Sequence, residues 1–172
     1  MAGGALKTIW LIHGVNLDML GRRDKHHYGD LTLAELEQQV KAHAAQCGFK
    51  VCSFQTNHEG AMVEQLHSLS LGGADAVIIN PGAWTHYSYA IHDALEMITV
   101  PIVEVHLSAI EQREEWRRHS VIADLADIRV SGQGVQGYFA AVDSLATLLG
   151  ADGAEHATDD LSPDDVSLPK AE

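Results

Sequence analysis

Residues 76–82 read Ala-Val-Ile-Ile-Asn-Pro-Gly. A continuous apolar run that stops at Pro-Gly marks a strand covered on both faces, because a strand with one wet face would alternate apolar and polar residues. On either side of this run, other strand-like segments alternate with amphipathic ones. Lys7–His13 (KTIWLIH), Phe49–Gln55, residues 101–106 (PIVEVH) and Ile128–Ser131 read as four further strands. Thr32 and Glu35 form a capping box ahead of Leu33, Leu36, Val40 and Ala44 at helical spacing, and Gly48 ends that helix. Helices are also expected over 60–71, 85–97, 111–118 and 135–149. Five β–α units with short connections predict an α/β domain: a flavodoxin-like three-layer sandwich with a five-stranded parallel sheet and helices on both faces.

Composition sets further bounds. The chain has 172 residues, 46% apolar and 20% charged, enough for one cored domain with a short remainder. The remainder is visible in the charge. Residues 151–172 contain seven acids, one lysine and two prolines, and carry −6 of the formal charge of −13. That segment has no apolar periodicity with which to offset its ordering entropy, so a disordered acidic tail is expected at 151–172 and a catalytic-size domain at 6–150. So acidic a chain is a poor partner for nucleic acid or an anionic membrane, which demand clustered Lys and Arg. No apolar run approaches the roughly 18 residues of a membrane span, and the N-terminus offers too little for a signal peptide. Cys47 and Cys52 have no metal-ligand spacing. Reduced thiols and a cytoplasmic location are the expectation.

In a parallel sheet of this kind, function sits in the loops leaving the carboxyl ends of the strands. Those loops are 14–30, 56–60, 80–86, 106–114 and 131–138, and they are rich in His, Arg, Asn, Ser and Tyr. Metal chemistry has weak support. Among eleven histidines none forms HExxH, His26 and His27 are adjacent, and His86, His92 and His106 lie on separate elements, so only convergence in space would make a zinc site. Gly132, Gly134 and Gly137 spell G-x-G-x-x-G between a strand and a helix, but in the last unit and with no acidic residue at a following strand end; tight packing explains them equally well. There is no G-x-S-x-G elbow, and the few lysines fall mostly on surfaces.

Acid–base chemistry on an anionic, polyhydroxylated small molecule remains. Arg23 lies five residues before Tyr28. A tyrosine, with a reference pKa of about 10, is a poor base at neutral pH unless a nearby guanidinium favours its phenolate. Such a pair on a loop over a substrate is a plausible carbon-acid base; the alternative is that Tyr28 simply packs the loop onto the domain. His106 leaves a buried strand two residues after Glu104, which could orient its imidazole for proton donation. Ser108 and the backbone amides that follow can hold a carboxylate. Arg113 and Arg117, four apart on the expected helix, either point a second cation into the pocket or pair on the surface with residues such as Glu114.

Taken together, the stretches HGVNLDMLGRRDKHHYG, QTNHEG, INPGAWTHYSYAIHDAL, VEVHLSAIEQREEWRRHS and GQGVQGY resemble type II 3-dehydroquinate dehydratase over residues 7 to about 149. The resemblance implies a flavodoxin-like enzyme without metal or organic cofactor, assembled as a homododecamer of trimers. It implies removal of water from 3-dehydroquinate to give 3-dehydroshikimate, by anti elimination through an enolate, in shikimate synthesis or quinate catabolism. By position, Tyr28 would be the base and Arg23 the group that holds it as phenolate. Asn16 would place a water against the enolate oxygen, and His106, backed by Glu104, would protonate the departing hydroxyl. Asn80, His86 and Arg117 would bind ring hydroxyls, and the Leu107 and Ser108 amides the carboxylate. Asp93 would reach a neighbouring subunit's substrate. Some positions depart from the family: His13, Val15 and Asp18 stand where it usually has Asn, Pro and Asn, Ala109 where it has Asn, and His92 where Arg is common. These leave open a relative that performs the same elimination on a different cyclic β-hydroxy ketone, or a non-catalytic relative that only binds such a molecule.

Overall fold

The computed structural model describes residues 5–150; the expected acidic tail, 151–172, lies outside the described residues. Strands Lys7–His13 (β1), Phe49–Gln55 (β2), Ala76–Asn80 (β3), Ile102–His106 (β4) and Ile128–Ser131 (β5) form one parallel sheet in the order β2-β1-β3-β4-β5. The helices are Lys25–Tyr28 (α1), Leu33–Gln46 (α2), Glu59–Ser70 (α3), Tyr89–Glu96 (α4) and Gln136–Leu149 (α5). Alternation along each strand sends neighbouring side chains to opposite faces. Ile9, Leu11, Ile78, Val103 and Val105 pack with Leu36, Val40 and Ala44 of α2 and with Ala141, Val142 and Leu145 of α5. On the other face Ile12, Val77, Ile79 and Ile102 pack with Met62 and Leu66 of α3 and with Ile91 and Leu95 of α4. Every residue of β3 and β4 is buried, as the unbroken apolar run at 76–79 requires.

The capping box is present: Thr32 Oγ1 accepts from the Glu35 amide at 3.3 Å, and Glu35 Oε2 accepts from the Thr32 amide at 2.8 Å. Two expected helices take other forms. Residues 85–97 are not continuous. A 3₁₀ turn, Gly82–His86, ends before Ser88, whose hydroxyl accepts from the Ile91 amide at 3.1 Å and starts α4 afresh. Residues 111–118 form two 3₁₀ turns, Ile110–Gln112 and Glu115–Arg117, separated by an extended Arg113. Only Ile110 is buried in these turns, so there is no apolar stripe to hold a longer helix against the sheet. Among the described residues, no helix is long and apolar enough to cross a membrane.

The order of strands reverses at β1, whose neighbours are β2 and β3, so the loops after β1 and β3 leave in a common crevice. His13 and Asn80, the last residues of these strands, are paired in register. Beyond them the two loops touch through glycines. A Cβ on Gly14 would fall 2.1 Å from the Pro81 oxygen, and one on Gly82, at φ +67°, would fall 2.5 Å from the Val15 oxygen. The Gly14 amide donates to the Asn80 oxygen at 2.8 Å. We expect Gly14→Ala to lower the thermal midpoint by roughly 6–12 °C, from an overpacking cost of about 3 kcal/mol. Gly60→Ala, where nothing lies within 4 Å, should not lower it. Circular dichroism melts of both variants check this; equal midpoints for both would show that the loops do not meet so closely.

Candidate active site

The crevice at the carboxyl ends of β1, β3 and β4 is a cleft bordered by Asn16, Arg23, Tyr28, Asn80, His86 and His106, with Leu107, Ser108, Arg113 and Arg117 completing it. Nine of the eleven residues expected at the site therefore border the cleft together. Asp93 does not: it sits on α4, largely exposed and outside the cleft, beside His92 at 3.5 Å. Glu104 stands behind the cleft, fully buried, and enters it only through His106.

Tyr28 ends α1, a single turn whose first amides are capped by Asp24. Its phenol oxygen accepts from Arg23 Nη2 and from Arg113 Nη1, each at 2.9 Å. The Arg23 guanidinium also lies 3.7 Å from the Tyr28 ring centroid. Two cationic donors on one oxygen form charge-assisted bonds that strengthen as that oxygen becomes negative. Arg113 donates a further bond to Ser108 Oγ at 3.3 Å. The chain alone leaves open a second cation from Arg113 or Arg117, and the family resemblance assigns Arg117 to a ring hydroxyl; Arg113 is the one on Tyr28, and the helix expected to carry both does not form. Arg117 instead lies over Trp116, 3.9 Å from the ring centroid, with Glu114 at 3.2 Å.

Glu104 and His106 are two apart on β4 and so share a face. Glu104 Oε1 accepts from His106 Nε2 at 2.6 Å, and its Oε2 accepts from Arg129 Nε at 2.8 Å. Burial alone would raise the Glu104 carboxyl, but the hydrogen bond and charge of His106, with Arg129, hold it below the usual carboxylate value. An ionised Glu104 fixes a proton on Nε2 and turns Nδ1 into the ring nitrogen available for proton exchange. His86 is held in the opposite sense. Its Nδ1 lies 2.7 Å from the His119 carbonyl oxygen and must donate to it. Burial lowers the ring below its ordinary value, with His106 and Arg117 adding to the effect. A neutral His86 therefore presents Nε2 as an acceptor, suited to a hydroxyl.

Asn16 adopts left-handed backbone, φ 65°, which asparagine tolerates better than most residues. Its amide donates to Asn57 Oδ1 at 2.8 Å, and Asn57 Nδ2 donates to Asp18 at 2.9 Å. The QTNHEG stretch thus clamps the loop that carries Asn16. Asn80 is fixed at both ends of its amide: Oδ1 accepts from the Gly82 amide and Nδ2 donates to Tyr138 Oη, each at 3.2 Å. Burial pushes the Tyr138 phenol up, so it stays neutral. Its oxygen lies 3.4 Å from His13 Nδ1, and donation to that nitrogen leaves the His13 proton on Nε2.

A family model described as dehydroquinase class II matches residues 7–146. This chain belongs to the class II dehydroquinase family. Among similar proteins, the 3-dehydroquinate dehydratase of Syntrophotalea carbinolica is 49% identical over 144 residues, 84% of this chain and 97% of that protein. The catabolic 3-dehydroquinase of Emericella nidulans is 47% identical over 140 residues, 81% of this chain and 91% of that one. Among solved structures, the type II dehydroquinase from Butyrivibrio crossotus superposes with a TM-score of 0.80 at 38% identity, covering 83% of this chain and 99% of that one. The flavodoxin-like α/β reading therefore agrees with both the sheet order and these neighbours.

Of the positions at which this chain departs from the expected family pattern, Val15 borders the cleft, an aliphatic residue in place of another apolar one. His13 is completely buried behind Asn80. Burial lowers its ring to about 4, Glu37 opposing and Lys41 adding to that shift. The folded state thus favours the neutral ring. Its contribution to stability is complete above the unfolded value of about 6.5 and is lost as pH falls towards 4. We expect the thermal midpoint of the wild type to fall more between pH 7 and about 4.5 than that of His13→Asn, which cannot titrate. Parallel pH dependences in calorimetry would show that His13 does not take up a proton in that window.

Proposed function

We propose that this chain removes water from 3-dehydroquinate to give 3-dehydroshikimate, by anti elimination through an enolate. The observation that carries the reading is the pair of guanidinium donors on Tyr28 Oη, opposite a histidine backed by a buried carboxylate. The tyrosinate takes the proton alpha to the ketone, and Arg23 and Arg113 offset the negative charge of the base before the transfer. A water positioned by Asn16 donates to the developing enolate oxygen. His106, holding a proton on Nδ1, delivers it to the departing hydroxyl, and Glu104 stabilises the imidazolium beforehand. Asn80, His86 and Arg117 bind the ring hydroxyls, while the Leu107 and Ser108 amides take the carboxylate. The named substrate is favoured over another cyclic β-hydroxy ketone because neither His13 nor Ala109 lines the cleft, and Ala109 packs against Gly132.

Assembly belongs to the same reading. Asp93 is exposed on α4, and Tyr87 and Tyr89 beside it are exposed aromatics, which fits a face that meets a neighbouring subunit. A homododecamer of trimers, with Asp93 reaching the adjoining cleft, is the arrangement we propose; sedimentation gives its mass directly.

The reaction is tested by adding purified protein to 3-dehydroquinate, without added metal, and following the ultraviolet absorbance of the conjugated enone product. Absorbance should rise rapidly and survive a chelator; a folded protein that yields no enone overturns the proposal. Tyr28→Phe should lower kcat on the order of 10²- to 10⁴-fold with little change in thermal midpoint. A variant within about tenfold of wild type would exclude Tyr28 as the base. Arg113→Met should lower kcat roughly 10- to 100-fold, the equivalent of one charged hydrogen bond. An unchanged kcat would leave Arg23 alone in support of the phenolate.

A further inference from the structure

Away from the cleft, α2 and α5 bring together three side chains of metal-ligand type. His43 and Cys47 lie four apart, on one face at the end of α2, and Asp143 faces them from α5. His43 Nε2 is 2.6 Å from Asp143 Oδ1, Cys47 Sγ is 3.8 Å from the same oxygen, and one ligand atom from each residue lies within 4.8 Å of the others. We propose that His43, Cys47 and Asp143 form a second site, for one divalent cation of the zinc class, which clamps α2 to α5.

Three features favour a cation here over a simple ion pair. The His43 ring is already aimed: Phe139, one turn before Asp143, stacks on it with centroids 4.9 Å apart and planes 24° from parallel. Outer contacts that orient an imidazole are what a metal ligand requires. The locus is also electronegative. It combines the Asp143 carboxylate with the carbonyl end of α2, where Cys47 is the capping residue. Finally, the geometry is close. Tetrahedral zinc places its N, O and S ligands about 3.3–3.6 Å apart. The Sγ–Oδ1 separation is near this, and the His43–Asp143 pair reaches it if Asp143, more than half exposed, swings outward slightly. Its solvent-facing side leaves the fourth position to water.

On binding, the Cys47 thiol loses its proton to solvent and metal–sulfur, metal–nitrogen and metal–oxygen bonds form; no electron transfer is involved. Because α2 and α5 also carry Glu37 and Tyr138, the clamp would tie together two helices that stand behind Asn80.

The test uses the full chain without an affinity tag, reduced and under anaerobic conditions, titrated with cobalt(II). The proposal expects one equivalent to generate a thiolate-to-cobalt charge-transfer band and the intense visible bands of a tetrahedral site, bleached by zinc. Cys52→Ser should keep the charge-transfer band, Cys47→Ser should abolish it, and Asp143→Asn should weaken cobalt binding at least tenfold. Zinc should raise the thermal midpoint of the wild type but not of His43→Ala. No charge-transfer band at excess cobalt, or a band that persists in Cys47→Ser, overturns the site. If Cys47→Ser does not fold, an undiminished affinity in Asp143→Asn serves equally to reject it.

Discussion

The backbone contact at the reversal of the sheet, with Gly14 against Pro81 and Gly82 against Val15, governs how the cleft is built. Parallel strands force their loops to the same end, and the reversal at β1 brings the loops after β1 and β3 side by side. They approach this closely only because Gly14 and Gly82 carry no Cβ. That contact sets Asn16 and Asn80 on one wall, and through the 3₁₀ turn after Gly82 it carries His86 to the mouth. The remaining wall comes from β4, whose last residue is His106.

Charge is arranged in two opposed groups across this space. On one side, two guanidinium groups converge on a phenol; on the other, an imidazole rests on a carboxylate that is itself tied to Arg129. Each buried or half-buried charge has a partner of opposite sign or a hydrogen bond, which is the condition for keeping charge out of water. The Arg113 bond to Tyr28 also ties the loop after β1 to the loop after β4, so the base is held by the segment that follows the acid. Tyr138 performs a related task underneath, as a neutral phenol that fixes the orientation of the Asn80 amide. The carboxylate and the phenol therefore act through neighbours, and neither needs to touch the reacting molecule.

Much of this was legible from local patterns. The five strands, the Thr32–Glu35 box and the α2 stripe follow from periodicity and capping chemistry, which operate within a few residues. Arg23 with Tyr28 and Glu104 with His106 were readable for the same reason: each pair lies within one short segment that dictates its geometry. Where local signals competed, the reading failed. Ser88 looks like the interior of a helix over 85–97, yet its hydroxyl starts a new one, and residues 111–118 have charge spacing for a helix without the buried stripe to hold it.

The contacts that complete the site span longer separations. Arg113 meets Tyr28 across 85 residues, Asn80 meets Tyr138 across 58, and Asn16 meets Asn57 across 41. The cluster of His43, Cys47 and Asp143 joins two helices 100 residues apart. Periodicity specifies which face of its own element a residue occupies, so the order of elements and their buried faces could be read from the chain alone. It does not specify which residue of another element stands opposite. That choice follows from strand order, register and helix packing, which exist only once the sheet has formed.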